Sequence, residues 1–126
     1  MILVFGGAYQ GKREYVISRF KLSEDDIYVC CDDDARMPKG NRVIYSLESW
    51  ILALLKTESK VEALINEFAD GLNGEIIICR DISCGIVPID PVLRAWRETT
   101  GRTLAKLAQK SDEVVRLFCG IPTRLK

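Results

Sequence analysis

Histidine is missing altogether from these 126 residues. The chain therefore has no imidazole to act as a base, to ligate a metal or to carry a phosphoryl or nucleotidyl group. Net charge is missing as well, because eighteen Lys and Arg balance eighteen Asp and Glu. That balance supplies no basic field for nucleic acid or an anionic membrane. No apolar run approaches the roughly 20 residues of a membrane-spanning helix. The apolar start at residues 1–7 is too short for a secretory signal and has no basic leader. The five cysteines, Cys30, Cys31, Cys79, Cys84 and Cys119, are odd in number and contain no C-x-x-C pair. This argues against a disulfide framework or a zinc site, and reduced thiols in a cytoplasmic protein are expected. What remains is an ordinary globular mixture, 48% hydrophobic and 29% charged, long enough for one domain spanning 1–126. Its charge is uneven, with acidic residues gathered in 24–34 and basic ones towards the C-terminus.

The apolar pattern alternates between strand and helix. Residues 2–5 form a short buried run ending in Gly6 and Gly7, and read as a strand leading into a tight loop. Helical spacing follows over 11–20, with Tyr15, Val16 and Phe20 apolar. Residues 27–31 and 42–45 read as strands, separated by a turn at Lys39, Gly40 and Asn41. A helix opens after Ser46, with Ser46 and Ser49 as candidate caps and Trp50, Ile51, Leu54 and Leu55 on one face. A second helix over 61–68 carries Val61, Leu64, Ile65 and Phe68. Residues 75–79, with three consecutive isoleucines, form the clearest central strand. A helix over 93–108 places Leu93, Trp96, Leu104, Leu107 and Ala108 inward. A strand over 114–119 and an edge strand over 121–125 close the chain. Strands joined through helices imply crossover connections, and hence a three-layer α/β domain with a mostly parallel sheet between helices.

The loop Gly6, Gly7, Ala8, Tyr9, Gln10, Gly11 and Lys12 satisfies G-x-x-x-x-G-K between the first strand and the first helix, the setting of a P-loop. Its glycines let successive amides point into one concavity, and the helix start adds partial positive charge. Lys12 would reach the β- and γ-phosphates of ATP or GTP. The next position calls for a hydroxyl that holds Mg²⁺, and Arg13 stands there instead. A guanidinium ligates no metal. Three readings compete: phosphate is bound with Mg²⁺ held elsewhere; Arg13 itself neutralises phosphate; or the loop is only a strand–helix connection.

A second motif, Gly85-Ile86-Val87-Pro88, follows the central strand, and Arg94, Trp96, Arg97 and Gly101 follow in the next helix. Together with the first loop and the ending Leu125-Lys126, these resemble the bifunctional adenosylcobinamide kinase/adenosylcobinamide-phosphate guanylyltransferase family of cobalamin biosynthesis. The resemblance implies a RecA-like P-loop fold and nucleotide-dependent phosphorylation of a cobinamide hydroxyl. It also implies assembly as a homo-oligomer, a trimer in the family. The family's guanylyl transfer runs through a histidine that this chain lacks. Tyr45 stands where the family has an acidic residue, with Glu48 about a helical turn further on, and Arg80-Asp81 replace an Asn-Glu pair.

Asp81, at the carboxyl end of the central strand, is a candidate to orient Mg²⁺ or accept the hydroxyl proton, with Glu48 as the other carboxylate for that task. The plainer reading of Asp81 is a loop carboxylate paired with Arg80. Arg94 and Arg97, one turn apart, either meet phosphate beside the substrate loop 85–88 or lie on a solvated helix face. Asp32, Asp33 and Asp34 read as a solvated loop rather than a metal cluster, so no metal-ligating set is expected. Cys30 and Cys31 read as packing at a strand end, and Trp50 and Trp96 as core or interface anchors.

Overall fold

A computed structural model describes residues 1–82 and 88–126. The chain runs β1 (Ile2–Gly6), α1 (Lys12–Phe20), a 3₁₀ turn (Glu24–Asp26), β2 (Ile27–Val29), β3 (Val43–Tyr45), α2 (Leu47–Thr57), α3 (Val61–Asp70), β4 (Ile76–Arg80), α4 (Pro91–Lys110), β5 (Glu113–Phe118) and β6 (Ile121–Arg124). Among the described residues, six strands lie in one sheet ordered β2-β3-β4-β1-β5-β6. The first five pair in parallel, and β6 alone is antiparallel, folded back on β5. The mixed α/β class and mostly parallel sheet follow the sequence reading.

Alternation along the strands explains the layering. Leu3, Ile44, Ile77 and Val114 point to one face and pack with Trp50, Ile51 and Leu54 of α2, Ile65 and Phe68 of α3, and Leu107 of α4. Val4, Val43, Ile76, Ile78 and Val115 point to the other face, against Val16 of α1. β4 is buried from Ile76 through Cys79 because both of its faces are covered. Each such aliphatic side chain contributes roughly 1.5–3 kcal/mol when fully buried. That is why three adjacent isoleucines suit this strand and would not suit a half-exposed one.

Several local expectations are corrected. Ser46 does occupy the position before α2, but in a left-handed conformation (φ 67°), and its hydroxyl caps no amide. It bonds instead to Glu48 Oε1 (3.2 Å) and Ser49 Oγ (3.1 Å). α4 starts earlier than its apolar spacing suggests. The Asp90 carboxylate accepts from the amides of Val92 (2.8 Å) and Leu93 (3.2 Å), and Pro91 stands at the first helical position, where its missing N–H costs nothing. Leu93 is therefore exposed in the first turn, while Thr99, Thr100 and Thr103 are buried. Cys30 is buried as expected, but β2 ends at Val29 and Cys31 is exposed. Among the described residues, no helix is long and apolar enough to cross a membrane.

Candidate functional site

Parallel pairing brings the carboxyl ends of β1, β3 and β4 to one edge of the sheet. The sheet order reverses there as well: from β1 the chain leaves towards β2 through α1, and from β4 it crosses to β5 through α4. Such a crevice is where open α/β sheets take their ligands. A cleft of about 260 Å³ lies at this edge, walled by the loop 8–11 and the start of α1, by Tyr45 of β3 with Ser46 and Glu48 after it, and by Ile78 and Arg80 of β4.

The glycine-rich loop is held at both ends. At Gly6, β1 passes so close to β5 that a Cβ would lie 2.4 Å from the Leu117 carbonyl oxygen. The Gly6 carbonyl in turn accepts from the Asp81 amide (2.8 Å). At the far end, Gln10 is tied to the β5–β6 turn. Its carbonyl accepts from the Gly120 amide (3.1 Å), and its side-chain Oε1 accepts from the Cys119 amide. Cys119 and Gly120 both have positive φ, as a two-residue hairpin turn requires. Between these anchors Tyr9 is fully exposed, also with positive φ.

Lys12 opens α1 and is only 8% exposed. Its Nζ donates to the Gly7 carbonyl at 2.6 Å, so among the described residues one of its three donors is engaged. Burial pushes the ammonium below its ordinary pKa, and the Glu48 carboxylate is the largest influence pulling it back. Glu48 is 5% exposed, in the first turn of α2. Burial raises its pKa, offset in part by its own amide at the helix start and by the Arg80 charge. Its Oε2 has no hydrogen-bond partner among the described residues. The Trp96 indole donates to the Glu48 carbonyl (2.7 Å), and the Arg80 guanidinium lies over the Trp96 ring, 5.8 Å from its centroid. Arg13 forms an ion pair with Glu24 and lies over the Tyr45 ring (5.9 Å).

The cleft thus gathers Ala8 through Arg13, and Glu48, from the sequence-derived site. It does not gather the rest. Asp81 follows Arg80 by one step, and strand alternation that keeps Ile78 and Arg80 on the cleft side carries Asp81 away from it. Gly6 and Gly7 do not line the cleft, though the Gly7 carbonyl accepts from Lys12. Arg94 is exposed and Arg97 half-buried on α4, neither lining the cleft. In the substrate loop, Gly85, Ile86 and Val87 lie outside the described residues, while Pro88 is half-buried ahead of α4. Arg80 is the site residue that motif reading passed over. The signal available for it was its place at the end of the central strand, two residues after a buried Ile78.

The donor set does not fit a resident metal ion. No group of three or more Cys, Asp or Glu able to hold one occurs among the described residues. Arg13 stands at the position where a hydroxyl would ligate, and three cations, Lys12, Arg13 and Arg80, line the same cleft. Two carboxylates, Glu14 and Glu48, line it too, and the excess of positive charge suits an anion.

A family model described as CobU, cobinamide kinase / cobinamide phosphate guanyltransferase, matches residues 33–125. The match begins after the glycine-rich loop and takes in β3, Glu48, Arg80 and everything onward to the last strand. No curated protein matches the chain.

Proposed function

The chain belongs to the cobinamide kinase / cobinamide phosphate guanyltransferase family, and from that premise we propose that it binds ATP or GTP in the cleft as a P-loop protein and transfers a phosphoryl group to a cobinamide hydroxyl. The single observation that carries the proposal is the convergence of Lys12, Arg13 and Arg80 beside a glycine-rich loop at a helix start. Phosphoryl transfer asks mainly for positioning and charge neutralisation, and little covalent chemistry from the protein. Lys12 would leave the Gly7 carbonyl for a phosphate oxygen, a short swing for a flexible stem. Arg80 and Arg13 would meet the remaining oxygens, with Arg13 giving up Glu24. Mg²⁺, if it enters, would come bound to the nucleotide and not on a protein ligand set.

Guanylyl transfer through histidine is not part of this proposal, because the chain has none. By the same family resemblance we place the protein in the cytoplasm as a homotrimer built from one nucleotide-binding domain per chain. Sedimentation of the purified protein checks the assembly.

Thermal melting with ATP or GTP, with and without Mg²⁺, tests the binding. At about a hundredfold excess over Kd the nucleotide stabilises by about 2.7 kcal/mol. Lys12→Met should lose that stabilisation. An unchanged melting temperature at millimolar nucleotide refutes the proposal. Arg13 favours a second reading, a binding module without turnover, since it stands where metal-assisted transfer needs a hydroxyl. Labelled nucleotide incubated with cobinamide separates the two: phosphorylated cobinamide supports the kinase, and nucleotide binding without product supports the module.

A further inference from the structure

Glu48 is an anomaly in a cleft suited to anions. It is nearly inaccessible, its Oε2 has no hydrogen-bond partner among the described residues, and its Oε1 accepts from the Ser46 hydroxyl. Lys12 is equally buried and engages the Gly7 carbonyl. The carboxylate and the ammonium line the same cleft, and Glu48 is the largest charge opposing the lowering of the Lys12 pKa by burial. On the carboxylate's side the leading charge favouring ionisation is Arg80, at the end of β4. An incoming anion breaks this arrangement, because it competes for Lys12 and adds like charge beside Glu48. Two anions sharing one site cannot both stay ionised cheaply, and the one that is buried, with an oxygen left unpartnered, has the more to gain from a proton.

We propose that Glu48 is the counter-anion of this cleft, and that a polyphosphate entering beside Lys12 and Arg80 drives a proton onto its carboxylate. The proposal rests on the reading that the cleft takes a polyphosphate. The groups that set the balance come from each neighbouring element: Lys12 and Arg13 from α1, Cys30 after β2, Tyr45 of β3, and Cys79 and Arg80 of β4 with Asp81 beyond them. The two buried thiols resist ionisation, Cys30 being pushed up to about 12, so neither takes the carboxylate's place as the group that titrates. From α4 the neighbour is the Trp96 indole, which carries no charge.

The test is isothermal titration of the whole chain with ATP in EDTA, between pH 5 and 8, in two buffers of different ionisation enthalpy. Wild-type protein should take up protons on binding, and its Kd should rise with pH by up to about tenfold per pH unit where one full proton is linked. E48Q should lose this uptake and bind ATP on the order of tenfold more tightly at pH 8, because a like charge has been removed. The ³¹P shift of the bound γ-phosphate follows the ligand's own titration separately, and a proton found on that phosphate instead of on the carboxylate overturns the proposal. Equal proton uptake by both proteins, or weaker binding by E48Q, overturns the proposal while leaving nucleotide binding intact. Failure of the wild-type protein to bind ATP overturns it together with the reading on which it rests. Melting of E48Q checks that it folds. Should it not, the wild-type uptake decides alone after subtraction of the titration of free ATP in the same buffers, and zero net uptake overturns the proposal.

Discussion

Replacing Gly6 by alanine puts a methyl group where β1 and β5 leave no room. Its Cβ would lie 2.4 Å from the Leu117 carbonyl oxygen and 3.3 Å from the carbonyl carbon. Both sides of this contact are backbone, so no side chain can swing aside. To reach even 3.0 Å the strands must part by about 0.6 Å. That strains the pairing of Gly6 with Leu117 and the bond from the Asp81 amide to the Gly6 carbonyl. Overpacking of this kind costs about 1–3 kcal/mol, and weakening a ladder hydrogen bond about 1 kcal/mol more. The expected loss is about 2–4 kcal/mol, or a melting temperature lower by about 8–15 °C for a chain of this length. Three other glycines calibrate the measurement. Gly40 and Gly74 have open space around them and positive φ, so alanine there costs about 1–2 kcal/mol from conformation alone. Gly101 sits inside α4 with nothing within 4 Å, so Gly101→Ala should stabilise by about 0.5–1 kcal/mol. Calorimetry or melting monitored by circular dichroism gives all four values. Gly6→Ala melting within about 2 °C of wild type would refute the close approach of β1 to β5, and with it the account of how the loop is anchored.

Trp96→Phe removes the indole donor to the Glu48 carbonyl (2.7 Å) and should cost about 1 kcal/mol in a denaturant melt, with no change in the helix signal. The Arg19 guanidinium makes two bonds to the Glu113 carboxylate (2.6 and 2.8 Å), which hold its pKa below the ordinary carboxylate value of 4.5. A depressed folded pKa means stability present above pH 4.5 and lost as pH falls through the folded value. Arg19→Ala should therefore be less stable than wild type at neutral pH, by no more than about 1 kcal/mol at this partly exposed site, and the gap should close in acid. Thiol labelling followed by mass spectrometry should modify Cys31 and Cys119 in the native protein and reach Cys30 and Cys79 only after unfolding, since the first two are exposed and the last two buried. Native labelling of Cys79 would contradict the double covering of β4.

The element order was legible in the sequence because each element carries its own period. The run of isoleucines in β4 and the strand-loop-helix pattern at Gly6–Lys12 are local signals, and the chain matches the family from residue 33 onward without any reference to coordinates. Helix starts were less legible. Ser46 has the right chemistry for a cap, yet its backbone is left-handed and its hydroxyl turns to Glu48. The start of α4 was misplaced because its first turn is exposed, so apolar spacing begins late, whereas Asp90 and Pro91 carried the stronger signal.

By itself, then, the sequence determined that strands and helices alternate, that a glycine-rich loop with Lys12 follows the first strand, and that no histidine chemistry is open to this chain, since all three are matters of residue type and neighbour spacing. Which residues share the cleft was decided only by the tertiary structure. Parallel register brings the ends of β1, β3 and β4 to one edge, so Glu48 and Arg80 meet Lys12 across 36 and 68 positions of sequence while Asp81, one residue further on, does not line the cleft. The anchoring of Gln10 by the Cys119–Gly120 turn belongs to the same class of fact. It joins Gln10 to two backbone amides more than a hundred positions away, and no pattern within either segment announces it.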